Sequence, residues 1–193
     1  MKTSRLLTKS RFKLALDCPT KLYYTRKSEY ENQSDTDSFL EGLAQGGFQV
    51  EELARMEHPN GIAITGDDYN YQIVAKRTQE LLKQENVCIF EPAFLIDGLF
   101  IRVDILVKKG NRIQLIEVKA KSISSTSHNS FIKSTGSFGS WDSQLYDIAF
   151  QKYVMQLCYP EWELCASLKL VDKVATTCVN GLHTCFKIVS TSD

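Results

Sequence analysis

The chain has 193 residues, 43% hydrophobic and 24% charged, and its 23 basic and 23 acidic side chains cancel to a formal net charge of zero. This length allows one core with peripheral additions, so a single domain over 1–193 is expected, and the zero balance removes any strong non-specific pull toward polyphosphate. A bilayer span is excluded because the longest apolar runs, such as 103–107, fall far short of the roughly 20 residues a membrane helix needs.

The basic start, MKTSRLLTKSRFK, lacks the apolar stretch of an export signal, since Lys9 and Arg11 soon follow Leu6 and Leu7. A cytoplasmic protein with no membrane contact is therefore expected. Charge is nevertheless uneven along the chain. Residues 1–30 hold eight Lys or Arg against Asp17 and Glu29, while 31–60 hold seven acids against Arg55 alone. The arm 1–30 is either a nucleic-acid contact or a solvated face balanced by the acids behind it. Within it, Thr8 or Ser10 is placed to cap a short helix over 11–16, followed by a Cys18-Pro19 turn and the aromatic, basic KLYYTRK. Residues 29–37 are polar and read as a loop. The spacing of Phe39, Leu40, Leu43, Phe48, Val50, Leu53 and Met56 predicts one or two helices from Asp37, with Gly46-Gly47 as a bend or close-packing point. His58-Pro59-Asn60-Gly61 ends that region, and a second helical pattern covers 69–84.

Three strands are predicted next, over 87–96, 99–107 and 112–118, joined by Asp97-Gly98 and Lys109-Gly110-Asn111 turns. Asp-Gly between two alternating apolar runs is a strong hairpin signal. The polar stretch 122–143 has no periodicity and is long for a structureless connection. Its Phe131, Lys133 and Trp141 are of the types that stack on bases and contact phosphates. A helix over 143–157 and strands over 163–171 and 184–189 complete the order, which defines an α/β fold with a mixed β-sheet flanked by helices. The six cysteines, at 18, 88, 158, 165, 178 and 185, form no C-x-x-C pair. Reduced, buried thiols are expected. His58, His128 and His183 share no motif, and no role is assigned to them.

One pattern carries chemistry. Asp104 lies in FIRVDILV, and Glu117 follows thirteen positions later in RIQLIEVKA. Side chains alternate along a strand, so Glu117 and Lys119 project from one face and Val118 from the other. A hairpin across Lys109-Gly110-Asn111 brings Asp104 near the Glu117 face. Mg²⁺ or Mn²⁺ needs few protein carboxylates, and such an ion acidifies a water and neutralises developing charge in phosphodiester hydrolysis. Lys119 would then position the water or support that charge, and the Val118 carbonyl would be a further metal ligand. A plainer reading stands beside this one: an edge strand with Glu117 and Lys119 in solvent, and Asp104 in a salt bridge with Arg102 or Lys119.

The stretch GLFIRVDILVKKGNRIQLIEVKAKS resembles the G…D…(E)VK core of the RecB-like branch of PD-(D/E)XK nucleases, which includes CRISPR-associated adaptation nucleases. LTKSRFKLALDCPTKLYY is similar to their opening segment, where a Cys-Pro pair precedes aromatic residues. With GGFQVEELA and DIAFQKYV, the likeness extends over most of 6–157. It implies a restriction-endonuclease-like core and a metal-dependent nuclease acting on DNA, with RNA left open. Asp104 and Glu117 would hold Mg²⁺ or Mn²⁺, and Lys119 would be the catalytic lysine. An acid on the first core helix often completes such sites, which points to Glu51 or, less well, Glu52. Relatives carry a Gln and a Tyr four apart on the helix after the lysine strand. Here the four-apart pair is Asp147 and Gln151, a departure in residue type, with Gln151 counted among the catalytic set, Gln144 a third candidate and Tyr153 read as core. Glu91 precedes the Asp104 strand, as an acid does in relatives, and is read as a structural ion pair. Some relatives hold an iron–sulfur cluster, and Cys18 resembles its first ligand. Cys158, Cys165, Cys178 and Cys185 are too spread to supply the rest, so no cluster is expected. The alternative function is a nucleic-acid-binding module of the same fold without cleavage.

Overall fold

The structure, a computed structural model, describes residues 5–25, 27, 29–30, 38–65, 70–126, 139–181 and 184, and of 38–45 the backbone alone. Its elements are β1 (Leu7–Thr8), α1 (Lys9–Asp17), α2 (Pro19–Tyr24), α3 (Ser38–Met56), β2 (Ile62–Ala63), α4 (Tyr71–Leu81), β3 (Asn86–Phe90), β4 (Ala93–Ile96), β5 (Leu99–Arg102), β6 (Ile105–Lys109), β7 (Arg112–Ile123), α5 (Asp142–Cys158) and β8 (Glu163–Asp172). They form a mixed α/β protein in which helices flank two mixed sheets, ordered β1-β5-β4 and β2-β3-β6-β7-β8.

Local chemistry sets the N-terminal arm. Thr8 caps α1 by accepting the Arg11 N–H, and Cys18 separates α1 from α2, its Sγ accepting the Lys21 N–H at 3.4 Å. Pro19 opens α2, where a missing N–H costs nothing. In α3 a single helix passes through Gly46-Gly47, so the expected bend does not divide it.

The strands expected over 87–96 and 99–107 each break in the middle, at Glu91-Pro92 and at Val103-Asp104. Register survives the break: Phe90 faces Ile105 before it and Ala93 faces Arg102 after it, with Glu91 N–H donating to Asp104 O at 3.2 Å and Val103 N–H to Pro92 O at 3.0 Å. Pro92 has no N–H for a ladder, and Glu91 sits at φ 56°, outside strand geometry. One ribbon therefore leaves the five-stranded sheet and continues into the three-stranded one. At its tip Asp97 and Gly98 take φ 46° and 80°, the pair of positive angles that a type I′ turn requires.

Strand β7 runs to Ile123, past the expected end at Val118, and pairs in parallel with β8 with a register shift between Lys119 and Ser122. It lies between β6 and β8, which removes the edge-strand reading of Glu117 and Lys119. Ile113 and Leu115 pack into the core with Val74, Ile148, Val154 and Met155, whereas Ile116 and Val118 pack with Ala54 and Val50 of α3. Each fully buried aliphatic side chain contributes roughly 1.5–3 kcal/mol, so a one-residue slip of β7, which would exchange its faces, is strongly disfavoured.

The connection expected over 122–143 starts later than expected because of this strand extension. Residues 127–138, Phe131 and Lys133 among them, lie outside the described residues, and Gly139–Trp141 forms a one-turn 3-10 helix before α5. Of the strand expected over 184–189, all but Thr184 lies outside them as well. The cysteines correct another expectation. The five that are described are free thiols and none is fully buried; Cys165 and Cys178 are exposed. Among the described residues, Cys165 sits on β8, which ends the five-stranded sheet, and Cys178 lies beyond that strand. Among the described residues no helix is long and apolar enough to cross a membrane.

Candidate active site

Two elements far apart in sequence meet over the Glu117 face of β7. Phe12 of α1 stacks on Phe150 of α5, with ring centroids 4.5 Å apart and planes within 12°. The contact holds α1 against α5, and Lys9 and Lys13, one turn apart on α1, reach inward beside it. Beneath them the row Ile113, Leu115, Glu117, Lys119 changes from apolar to charged, since alternate residues of one strand share a face.

Glu117 has no exposed surface. Its Oε1 receives Lys9 Nζ at 2.9 Å and also Lys119 Nζ, while Gln151 Nε2 donates to Oε2 at 2.6 Å. Asp147, 1% exposed, accepts Lys119 Nζ at 3.3 Å and Lys13 Nζ at 3.5 Å on its Oδ2. Asp104 Oδ2 accepts the backbone N–H of Val118 at 2.7 Å, which ties the broken ribbon to β7. Among the described residues no salt bridge joins Asp104 to Arg102 or Lys119; Arg102 meets Glu91 at 3.3 Å, and Lys119 meets Glu117 and Asp147.

Burial and then the charge of Glu117 push the Asp104 carboxyl up to about 7, with Lys9, the Val118 N–H and Lys119 acting against that rise. Burial also opposes the charge of Glu117, but Lys9 and then Lys119 outweigh it and hold the carboxyl below its ordinary range. The two lysines respond in kind. Burial works against their charge, yet Glu117 beside each keeps both above the ordinary lysine value.

The donor set suits a hard divalent cation. Asp104 and Glu117 repel one another in a buried setting, a conflict that a cation between them relieves. Asp147 Oδ1, Gln151 Oε1 and Gln144 Oε1 are buried acceptors without a hydrogen-bond partner. Gln144, Asp147 and Gln151 share one face of α5, and orphaned buried acceptors normally bind water or an ion. Among the described residues no three His, Cys, Asp or Glu side chains gather as a metal cluster, and Mg²⁺ commonly uses one or two carboxylates with water and substrate oxygens besides.

Asp104, Glu117, Lys119, Asp147 and Gln151 are therefore brought together. Glu51 pairs with Arg55 on α3, whose Ala54 packs on the Val118 face of β7. Arg55 also binds Glu52 at 3.1 Å and Glu91 at 3.2 Å. Glu91 is pushed up to about 7, first by burial and then by the facing Glu51 carboxyl. Tyr153, read as core, is exposed, because it falls on the outer side of α5. Lys9 and Lys13 went unassigned in the sequence, although TKSRFK sets them one turn apart with Phe12 between them.

At the level defined by the fold, this is a mixed α/β protein with two mixed sheets flanked by helices. In comparison with known proteins, the chain matches no family model, no curated protein and no solved structure.

Proposed function

We propose that this protein is a metal-dependent nuclease of the PD-(D/E)XK type, RecB-like branch, with a restriction-endonuclease-like core, that hydrolyses phosphodiester bonds of DNA. The observation that carries the reading is the convergence of Asp104, Glu117 and Lys119 on one buried face, with Gln151 bonded to Glu117. Asp104 and Glu117, with the Val118 carbonyl, are the groups that would hold Mg²⁺ or Mn²⁺. When bound, such an ion supplies an acidified water and neutralises charge on the phosphate. Gln151 orients the Glu117 carboxylate, and Asp147 steadies the Lys119 ammonium at 3.3 Å. Lys119 directs a cation at the charge that develops during hydrolysis. The arm contributes exposed Tyr23, Tyr24 and Tyr30, with Lys27 Nζ 3.5 Å from the Tyr23 ring centroid, a surface able to stack on unpaired bases.

The test is cleavage of single- and double-stranded DNA, and of RNA, by purified protein with and without Mg²⁺ or Mn²⁺. Cleavage that requires the ion and is abolished by Asp104→Ala, Glu117→Ala and Lys119→Ala is the expected result. Binding of DNA with no cleavage under any of these conditions would favour the binding-module alternative.

A further inference from the structure

The arrangement around Glu117 raises a question the nuclease reading leaves open: why a residue expected to hold a metal is already saturated with protein donors. Both of its oxygens are engaged, and Oε1 carries two ammonium groups. The two lysines differ in origin. Lys119 is two residues from Glu117 on the same strand and is also held by Asp147 at 3.3 Å. Lys9 comes from α1, 108 residues away in sequence, its side chain is 25% exposed, and among the described residues its ion pair is with Glu117 at 2.9 Å. Asp104, the other carboxylate of the pair, has no ion pair at all among the described residues.

We propose that Lys9 is a place-holder for the cation, seated on Glu117 in the metal-free protein and displaced toward the substrate phosphate when the ion is bound. The inference rests on the nuclease reading for the identity of the ligand, and on the geometry for the rest. A buried carboxylate without a partner is costly, so the metal-free fold needs a cation at Glu117. A lysine is suited to this task, since its ammonium is a compact charge on a flexible four-carbon stem. Lys9 is the one of the two that can leave, because Phe12 fixes α1 by its ring and not by the lysine. Once off Glu117, the Lys9 ammonium, on a side chain 25% exposed, can meet a phosphodiester. Metal and nucleic acid therefore assist one another: each binds more tightly when the other is present, with Lys9 as the coupling element.

The experiment is Mn²⁺ binding to metal-free protein, followed by calorimetry and by the electron paramagnetic resonance of free Mn²⁺. Wild type is compared with Lys9→Met, which keeps length and removes charge, and Lys9→Arg, which keeps charge. Lys9→Met should bind Mn²⁺ at least about fivefold more tightly than wild type, and Lys9→Arg should stay within about twofold. An uncleavable phosphorothioate oligonucleotide should tighten Mn²⁺ binding more in wild type than in Lys9→Met, and an equal gain in the two overturns the coupling through Lys9. Lys9→Met binding no tighter than wild type overturns the inference, as does Mn²⁺ binding to neither. Should Lys9→Met fail to fold, ¹³C-dimethylation of the lysines of wild type provides the measurement, with Lys9→Arg assigning the resonance. The Lys9 signal must then shift on addition of Mg²⁺, and its failure to move overturns the proposal. Tighter binding by Lys9→Met with no nucleic acid cut by wild type refutes the nuclease reading alone. Metal-dependent cleavage by wild type with unchanged affinity in Lys9→Met refutes the place-holder alone.

Discussion

Two ionic clusters meet at the point where the long hairpin breaks, and they are built differently. Around Glu117 the cations are lysines, the carboxylates of Glu117 and Asp147 are fully buried and acceptor oxygens are left without partners. Around Glu91 the cations are arginines, Arg55 and Arg102, and the carboxylate bridges α3 to β5 from a residue at φ 56°. Guanidinium groups present fixed forks that clamp carboxylates, whereas ammonium groups are mobile point charges. The difference teaches that one cluster is a clamp holding the kinked ribbon to the helix, and the other is an assembly whose partners can be exchanged for a ligand.

The largest effect should come from the lysine cluster. Lys119→Ala is expected to lower the cleavage rate by about 10² or more. Its melting temperature should change little, because Lys9 still neutralises Glu117 and Lys13 still faces Asp147. Loss of activity together with a large loss of stability would make this cluster a clamp too and erase the contrast.

At the arginine cluster the balance should invert. Glu91→Ala removes the anion that Arg55 and Arg102 share, and about 1–3 kcal/mol of stability should be lost in denaturant titration. Glu91→Gly removes the same charge but relieves the left-handed backbone, so it should be less destabilising than the alanine variant by about 1 kcal/mol. Equal losses in the two variants would show that the positive φ stores no strain.

Protonation sharpens the comparison further. Asp104 and Glu91 are both raised to about 7, so their contribution to stability is complete below the ordinary carboxylate range and is lost as pH rises through about 7. Glu117 is shifted down, so its contribution is present above its ordinary value and lost on acidification. Metal-free protein should therefore melt at a lower temperature at about pH 8 than at about pH 5, and Mg²⁺ should restore more stability at the higher pH, where Asp104 is ionised. Asp104→Asn should reduce that pH dependence. A melting temperature that instead rises steadily with pH would contradict the placement of Asp104. The smallest effect is expected for Arg55→Lys, which keeps charge but loses the fork joining Glu51, Glu52 and Glu91, at about 1 kcal/mol in the same titration.

Much of this molecule was legible in the residues taken locally. The Asp97-Gly98 turn, the Thr8 cap, the shared face of Glu117 and Lys119 and the one-turn spacing of Asp147 and Gln151 follow from turn chemistry and from the periods of strand and helix, which depend on near neighbours in sequence. Tertiary structure decided the rest. The hairpin breaks at Pro92 because a paired strand asks that residue for an N–H it lacks, and β7 extends to Ile123 because β8 lies beside it. Lys9 reaches Glu117 across 108 residues because Phe12 meets Phe150, and this second cation on buried Glu117, beside Lys119, is one that no local pattern names.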